Sequence, residues 1–346
     1  MSSPFEKFPR VWRAQEILDY AFGHATKQSA SLPTVITNLE KVKRKEVKRV
    51  ENASGMLVEK IRKIIESVPN LEQIPTFFQK LSHLLVNNDE FRLNLGRLNG
   101  VIPVIERLEK DFTHRIWKAD DSKACGDLRM EFFGRAGSLI RKQDSTLEFL
   151  ESCRMKLQQI PSINLKMPSV VVAGYPNVGK SSLVGKMTKA KPTVADYPFT
   201  TKQIFFGVYE DQTGSRHFQV IDTPGILDRP MTARNEIEQQ AILALNTIAT
   251  VILFMIDPTP AAGFEVASQI KLYYEVKDQF LKGSNAPLKV IINKIDFATE
   301  AEINNVIQQL QLPKDEIFFT NAKDGVNADK IINWLLTYFK SSGYRV

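Results

Sequence analysis

Val170-Val-Val-Ala-Gly174-Tyr175-Pro176-Asn177-Val178-Gly179-Lys180-Ser181-Ser182 decides the fold of this 346-residue chain. Four apolar residues read as a buried strand, the glycine-rich run as a tight turn, and the residues from Ser181 as a helix. Backbone N–H groups in such a turn converge on an anion, and the helix N-terminus adds its positive dipole end. Lys180 then reaches the outer phosphates, and the Ser181 hydroxyl is placed to hold a magnesium ion. The spacing Gly174-x-x-x-x-Gly179-Lys180-Ser181 therefore predicts a nucleoside-triphosphate site.

Downstream, residues 217–221 form a strand-like run that ends in Asp222-Thr223-Pro224-Gly225. A carboxylate at that strand end supports magnesium, and the Gly225 N–H meets the γ-phosphate. A further apolar run, 288–292, ends in Asn293-Lys294-Ile295-Asp296. The Asp296 carboxylate can accept from the N1–H and the exocyclic amine of guanine, a pair of donors that adenine lacks. A site built for those donors discriminates by about four orders of magnitude, so the base is guanine and the ligands are GTP and GDP. Strand-like residues 317–320 lead into Asn321-Ala322-Lys323, whose backbone N–H is placed to meet the guanine oxygen.

Between the phosphate loop and Asp222 lies a polar, proline-punctuated segment, residues 192–202, followed by a strand pattern at 203–209. Thr200 and Thr201 compete there to close on magnesium and the γ-phosphate; Thr201, nearer the strand, is preferred. Ile226 follows Gly225 where a water-orienting glutamine would stand in the better-known small GTPases, and an aliphatic side chain cannot align a water. Slow intrinsic hydrolysis is expected. Asn177 either shapes the turn or ligates a potassium ion beside the phosphates in place of an arginine finger. Arg229 and Arg234 are surface residues or further phosphate contacts.

The phosphate loop, Tyr197-Pro-Phe-Thr-Thr201, Asp222-Thr-Pro-Gly-Ile-Leu-Asp-Arg-Pro230 and Asn293-Lys-Ile-Asp296 together resemble the Obg-related branch of translation-factor-type GTPases. Within it the chain resembles the nucleolar GTP-binding (NOG) family, and the likeness extends to Phe8-Pro-Arg-Val-Trp12 and the helical region before the phosphate loop. The resemblance implies a GTPase acting in large ribosomal subunit assembly, with the pre-ribosomal particle as partner. It also implies potassium stimulation where the phosphate-loop asparagine is present. Eukaryotic members carry a long C-terminal extension, so a chain reaching Val346 resembles a short archaeal-type member, and a cytoplasmic rather than nucleolar location is expected. Two alternatives stay open: a nucleotide-gated ribosome-binding module with negligible hydrolysis, and a regulatory GTPase on translating ribosomes.

The length and a 43% hydrophobic content suit two modest cores. Cys125 and Cys153 are too few for a disulfide framework and lack zinc spacing, and no secretory leader or membrane-length apolar run is seen. A reducing compartment, no membrane and a monomer when free are the expectation. The formal charge of +7 is uneven: residues 1–165 hold 27 Lys and Arg against 21 Asp and Glu, and the rest hold 19 against 18. A basic region next to a switch suits RNA docking, densest at Lys41-Val-Lys-Arg-Lys-Glu-Val-Lys-Arg49, although a solvated helix face gives the same pattern.

Helical spacing runs through 12–29, 34–67, 74–85, 89–112 with Pro103 as a break, and 122–158. Trp117, Phe132 and Phe133 read as core. The predicted organisation is an all-α bundle over 1–160, a linker at 161–168 between Pro161 and Pro168, and an α/β P-loop GTPase domain over 169–346. There, strands alternate with helices at 181, 235–247, 263–282, 299 and 326 onward, which makes a mostly parallel sheet with helices on both faces.

Overall fold

The computed structural model describes residues 3–27, 37–188, 193–196, 203–223, 227, 234–260, 263–282 and 284–345. These form two compact units: residues 4–74 with 85–158, and residues 75–84 with 159–346 plus Ser3. Residues 75–84, which the pattern alone assigns to the bundle, thus group with the α/β part. So do residues 161–168, where Ile163 is buried and Gln219 Nε2 donates to the Asn164 carbonyl at 3.0 Å.

The first unit is helical. α1 (Ala14–Lys27), α2 (Asn38–Ser67), α4 (Asn88–Lys118), α5 (Ser122–Arg141) and α6 (Asp144–Leu157) pack on one another, and α3 (Thr76–Leu85) belongs to the second unit. On α2, Val47, Val50, Ala53, Leu57, Ile61 and Ile64 recur at three- and four-residue intervals, and all are buried. Caps set the starts: Asn87 Oδ1 accepts from the Asp89 and Glu90 N–H groups, and Asp121 Oδ1 from the Ala124 N–H at 2.8 Å. Two sequence expectations are corrected. Pro103 does not break α4, which runs through it for 31 residues. Pro103 sits on the exposed face, where solvent has access to the carbonyl that proline leaves without a donor. The 122–158 pattern is two helices, separated at Lys142 and Gln143. Phe132 and Phe133 are core residues, Phe133 stacking on Phe22 at 4.3 Å, whereas Trp117 is 44% exposed near the end of α4.

In the second unit the described residues build a seven-stranded sheet ordered β2-β3-β4-β1-β5-β6-β7. The strands are β1 (Ser169–Ala173), β2 (Thr193–Asp196), β3 (Gln203–Glu210), β4 (Arg216–Asp222), β5 (Val251–Ile256), β6 (Leu288–Ile292) and β7 (Ile317–Phe319). β4, β1, β5, β6 and β7 run parallel, and β3 is antiparallel to β2 and β4. Every residue of β1 and β5 is buried, as a strand covered on both faces requires. On one face, Val170, Val172, Leu253 and Met255 meet Leu183 and Val184 of α7 (Lys180–Met187) and Ile331, Leu335 and Phe339 of α11 (Ala328–Ser341). On the other, Phe254 packs edge-on to Tyr273 of α9 (Val266–Glu275), with ring centroids 5.6 Å apart. α8 (Glu236–Asn246) and α10 (Glu300–Leu310) both open on capping boxes, Asn235 with Glu238 and Thr299 with Glu302. The strand β2, four residues inside the proline-punctuated segment, has no apolar run long enough to announce it and, among the described residues, pairs with β3.

Candidate functional site

The parallel strands deliver the phosphate loop, Asp222 and the two base-side motifs to one edge of the sheet. Gly174 follows β1, Asp222 closes β4, Asn293 follows β6 and Thr320 follows β7. Gly174 has φ 134°, and a Cβ there would collide with the Met255 carbonyl oxygen, so the chain can leave β1 only through glycine. Asn177 is left-handed at φ 63° and exposed. Turn geometry alone therefore accounts for an asparagine there, because asparagine tolerates that conformation. Gly179 caps α7 at φ 106°, and its missing Cβ leaves room for the Asn293 amide.

Lys180 is 6% exposed, and its Nζ donates to the Gly174 and Tyr175 carbonyls, both at 2.7 Å. The ammonium is thus held across the phosphate loop rather than extended into solvent. The helix that follows carries Ser181 and Ser182 at the surface, with Val178 and Leu183 buried beneath. Gly174 N–H donates to the Leu227 carbonyl at 3.1 Å, which joins the loop to the chain just beyond Asp222-Thr-Pro-Gly.

Ser181 Oγ donates to Asp222 Oδ2 at 2.7 Å. Asp222 is 1% exposed, and its other carboxylate oxygen is buried with no hydrogen-bond partner among the described residues. Burial pushes the Asp222 carboxyl above its ordinary value, against the Ser181 hydrogen bond and the nearby Lys180 charge, which pull it down. A hydroxyl and an under-satisfied carboxylate, side by side at the start of a phosphate-binding helix, fit a divalent cation. Thr223 supports the arrangement by donating through Oγ1 to the Val172 carbonyl at 2.7 Å.

Asn293 is the joint of the base side. Its Nδ2 donates to the Val178 carbonyl at 2.7 Å, and its Oδ1 accepts from the Ala322 N–H at 2.9 Å. Asn321 turns its side chain back on its own loop: Oδ1 accepts from the Lys323 and Asp324 N–H groups, and Nδ2 donates to Asp324 at 2.6 Å. That closes the turn and leaves Ala322 buried and Lys323 exposed. Lys294 is left-handed at φ 57°, and Asp296 is exposed at the mouth. Asp257, which sequence reasoning passed over, is fully buried at the end of β5 and lies against Lys294 Nζ at 2.5 Å. An acidic residue ending an apolar strand is a detectable signal, but its partner lies 37 positions later in the sequence.

Thr200, Thr201, Gly225, Ile226 and Arg229 lie outside the described residues. Arg234 is 7% exposed, a buried residue rather than a surface one. The basic stretch on α2 also differs from its sequence reading. Lys43 Nζ donates to the Trp117 carbonyl at 2.9 Å, Arg44 pairs with Glu40, Lys48 with Glu51, and Arg49 with Glu46 at 2.7 Å. Glu46 is buried and also pairs with Arg129 at 2.5 Å, so part of that charge is structural.

Two family models match consecutive parts of the chain: the NOG1 N-terminal helical domain over residues 5–164, and the 50S ribosome-binding GTPase over residues 169–294. The uncharacterised protein MJ1408 of Methanocaldococcus jannaschii is 35% identical over 307 residues, covering 87% of this chain and 83% of that protein. Probable nucleolar GTP-binding protein 1 of Dictyostelium discoideum is 35% identical over 295 residues, 84% of this chain and 43% of its own length. Nucleolar GTP-binding protein 1 of Arabidopsis thaliana is 33% identical over 309 residues, 88% of this chain and 45% of its own. The chain thus spans less than half of these two eukaryotic relatives. With a helical unit followed by a P-loop GTPase domain whose phosphate and base motifs meet at one sheet edge, the chain belongs to the NOG1 family of GTP-binding proteins.

Proposed function

We propose that this chain binds GTP with magnesium, hydrolyses it slowly to GDP and phosphate, and acts as a switch in large ribosomal subunit assembly. The observation that carries the nucleotide reading is Asn293, which ties the phosphate loop at Val178 to the base loop at Ala322 through one buried amide. The two halves of a nucleotide site are thereby held in fixed register. Asp296, at the mouth of that loop, selects guanine.

Lys180 leaves the Gly174 and Tyr175 carbonyls to meet the β- and γ-phosphates, to which the N–H groups at the start of α7 also point. Ser181 and Asp222 would hold the divalent cation, whose charge would offset that of the phosphates. Thr201, or its neighbour Thr200, closes on the γ-phosphate and lets go after hydrolysis. With Ile226 unable to align the attacking water, Asn177 would hold a potassium ion that supplies positive charge beside the phosphates. Calorimetry with GDP and ADP in magnesium tests the base reading: GDP binding at least about a thousandfold tighter is expected. Equal affinities would reject the role given to Asp296.

The ribosomal role rests on the family and on the basic helical unit, which docks on rRNA or ribosomal protein of the precursor. Lys45, Arg97, Arg107 and Lys110 are exposed cations of α2 and α4 that suit phosphate contacts. The free buried thiols Cys125 and Cys153 support a reducing, cytoplasmic setting. No helix among the described residues is long and apolar enough to cross a membrane. Co-sedimentation with free large subunits and with translating ribosomes separates assembly from regulation of translation. Turnover that stays at the uncatalysed rate with large subunits present would favour the second reading, a nucleotide-gated binding module, for which Ile226 is the sequence argument.

A further inference from the structure

We infer that Asp257 is the positioning residue of the base-binding loop and acts through Lys294; the inference rests on the guanine-nucleotide reading of the site. Asp257 follows β5, and its side chain has no solvent exposure. Oδ1 accepts from the Thr259 N–H at 2.9 Å and the Thr259 hydroxyl at 2.8 Å. Oδ2 is sealed from solvent, and its partner among the described residues is the Lys294 ammonium, 2.5 Å away. A carboxylate so placed is strongly unfavourable unless a cation is held beside it. The buried charge therefore dictates where Lys294 must be.

The backbone that carries this carboxylate is itself held in place. Gln269, also fully buried, accepts from the Asp257 N–H at 3.0 Å and donates to the Asp257 carbonyl at 2.9 Å. The same Gln269 amide donates to the Phe264 carbonyl at 3.2 Å, and the Phe264 ring lies 4.5 Å from that of Tyr175 in the phosphate loop. At the other end of the ion pair, Lys294 holds φ 57°, a backbone conformation that a lysine keeps only under constraint. It sits between Asn293, already fixed to Val178 and Ala322, and the guanine-selecting Asp296. The Asp257–Lys294 pair thus presets the loop, and binding pays less ordering entropy.

The test uses the full chain and titrates GDP into wild type, D257N, K294M, the D257N/K294M double variant and T259V, with a melting curve for each. D257N is expected to bind GDP at least about tenfold more weakly and to raise the KM for GTP while kcat at saturation changes by less than about twofold. The double variant should bind within about twofold of K294M alone, because both changes remove the same interaction. T259V, which removes only the hydroxyl bond to the other carboxylate oxygen, should bind like wild type. GDP affinity in D257N equal to wild type, multiplied effects in the double variant, or a T259V loss matching that of D257N would each overturn the inference. Should D257N fail to fold, K294R against K294Q decides: retained affinity in K294R with loss in K294Q supports the charge pairing, and equal loss overturns it. Wild type that does not bind GDP would instead reject the guanine-nucleotide reading, and this inference with it.

Discussion

Asn293 donates to the Val178 carbonyl oxygen at 2.7 Å, so a residue of the base loop is bonded directly into the phosphate loop 115 positions earlier. The same side chain accepts from Ala322 and is 3% exposed, so both of its bonds lie out of water. Replacing it with alanine leaves a carbonyl and an N–H unpaired, at a cost of about 2 kcal/mol or more. N293A should lower the melting temperature of the free protein and weaken GDP binding at least about tenfold, read by calorimetry and thermal melting; a variant unchanged in both would remove Asn293 from its central place.

Gly179 and Asn293 share one space. A methyl at residue 179 meets the Asn293 amide nitrogen, and φ 106° is itself unfavourable for alanine. G179A is expected to destabilise the protein by about 2 kcal/mol or more and to abolish nucleotide binding. Denaturant unfolding of the free protein measures the first and GDP titration the second.

Asp222 has a pH signature. Burial raises its carboxyl above the unfolded chain's value, so the native state takes up a proton at a pH where the unfolded chain has not. Stability supplied by this group therefore rises as pH falls through that window and is lost as pH climbs above it. D222N, which cannot ionise, should be at least as stable as wild type at pH 7 without nucleotide or metal, and that advantage should shrink on acidification. Magnesium-supported GDP affinity in D222N should fall by about ten- to a hundredfold. A D222N stability difference that does not move with pH would contradict the burial argument.

Asn177 separates turn geometry from cation binding through one substitution. N177G keeps a backbone comfortable at φ 63° and removes the amide oxygen. GTP turnover of the wild type in potassium should exceed that in sodium at matched ionic strength, and N177G should lose the difference. Equal rates in both salts for the wild type would return Asn177 to a purely conformational role.

Glu46 anchors two arginines inside the bundle, Arg49 at 2.7 Å and Arg129 at 2.5 Å. E46Q leaves both cations without their carboxylate; since each guanidinium retains some exposure, the cost is about 2 kcal/mol, below that of a fully buried pair. R49Q should destabilise likewise, so loss of RNA binding in that variant would report unfolding as well as charge. Exposed Lys45, Arg97, Arg107 and Lys110 give the cleaner test, because their replacement by glutamine should flatten the salt dependence of large-subunit binding without moving the melting curve.

Local chemistry made much of the site legible. Gly174 and Gly179 stand where a positive-φ or crowded backbone admits glycine, and the largely apolar run at 288–292 forms a strand over that very span. Pro103 shows the limit: a breaker rule describes an average helix interior, and α4 carries its proline on the exposed face. The paired lysines and arginines of α2 show another, since charge counts do not reveal which cations already have partners.

By itself the sequence determined the helical-then-α/β organisation and the chemical class of the ligand, because turns, caps and phosphate-binding loops are short-range features written in adjacent residues. Only tertiary structure decided that Asn293 joins Val178 to Ala322, that Asp222 is buried against Ser181, and that Asp257 meets Lys294. Those relationships depend on which strand ends lie side by side, and strands neighbouring in space come from distant parts of the chain.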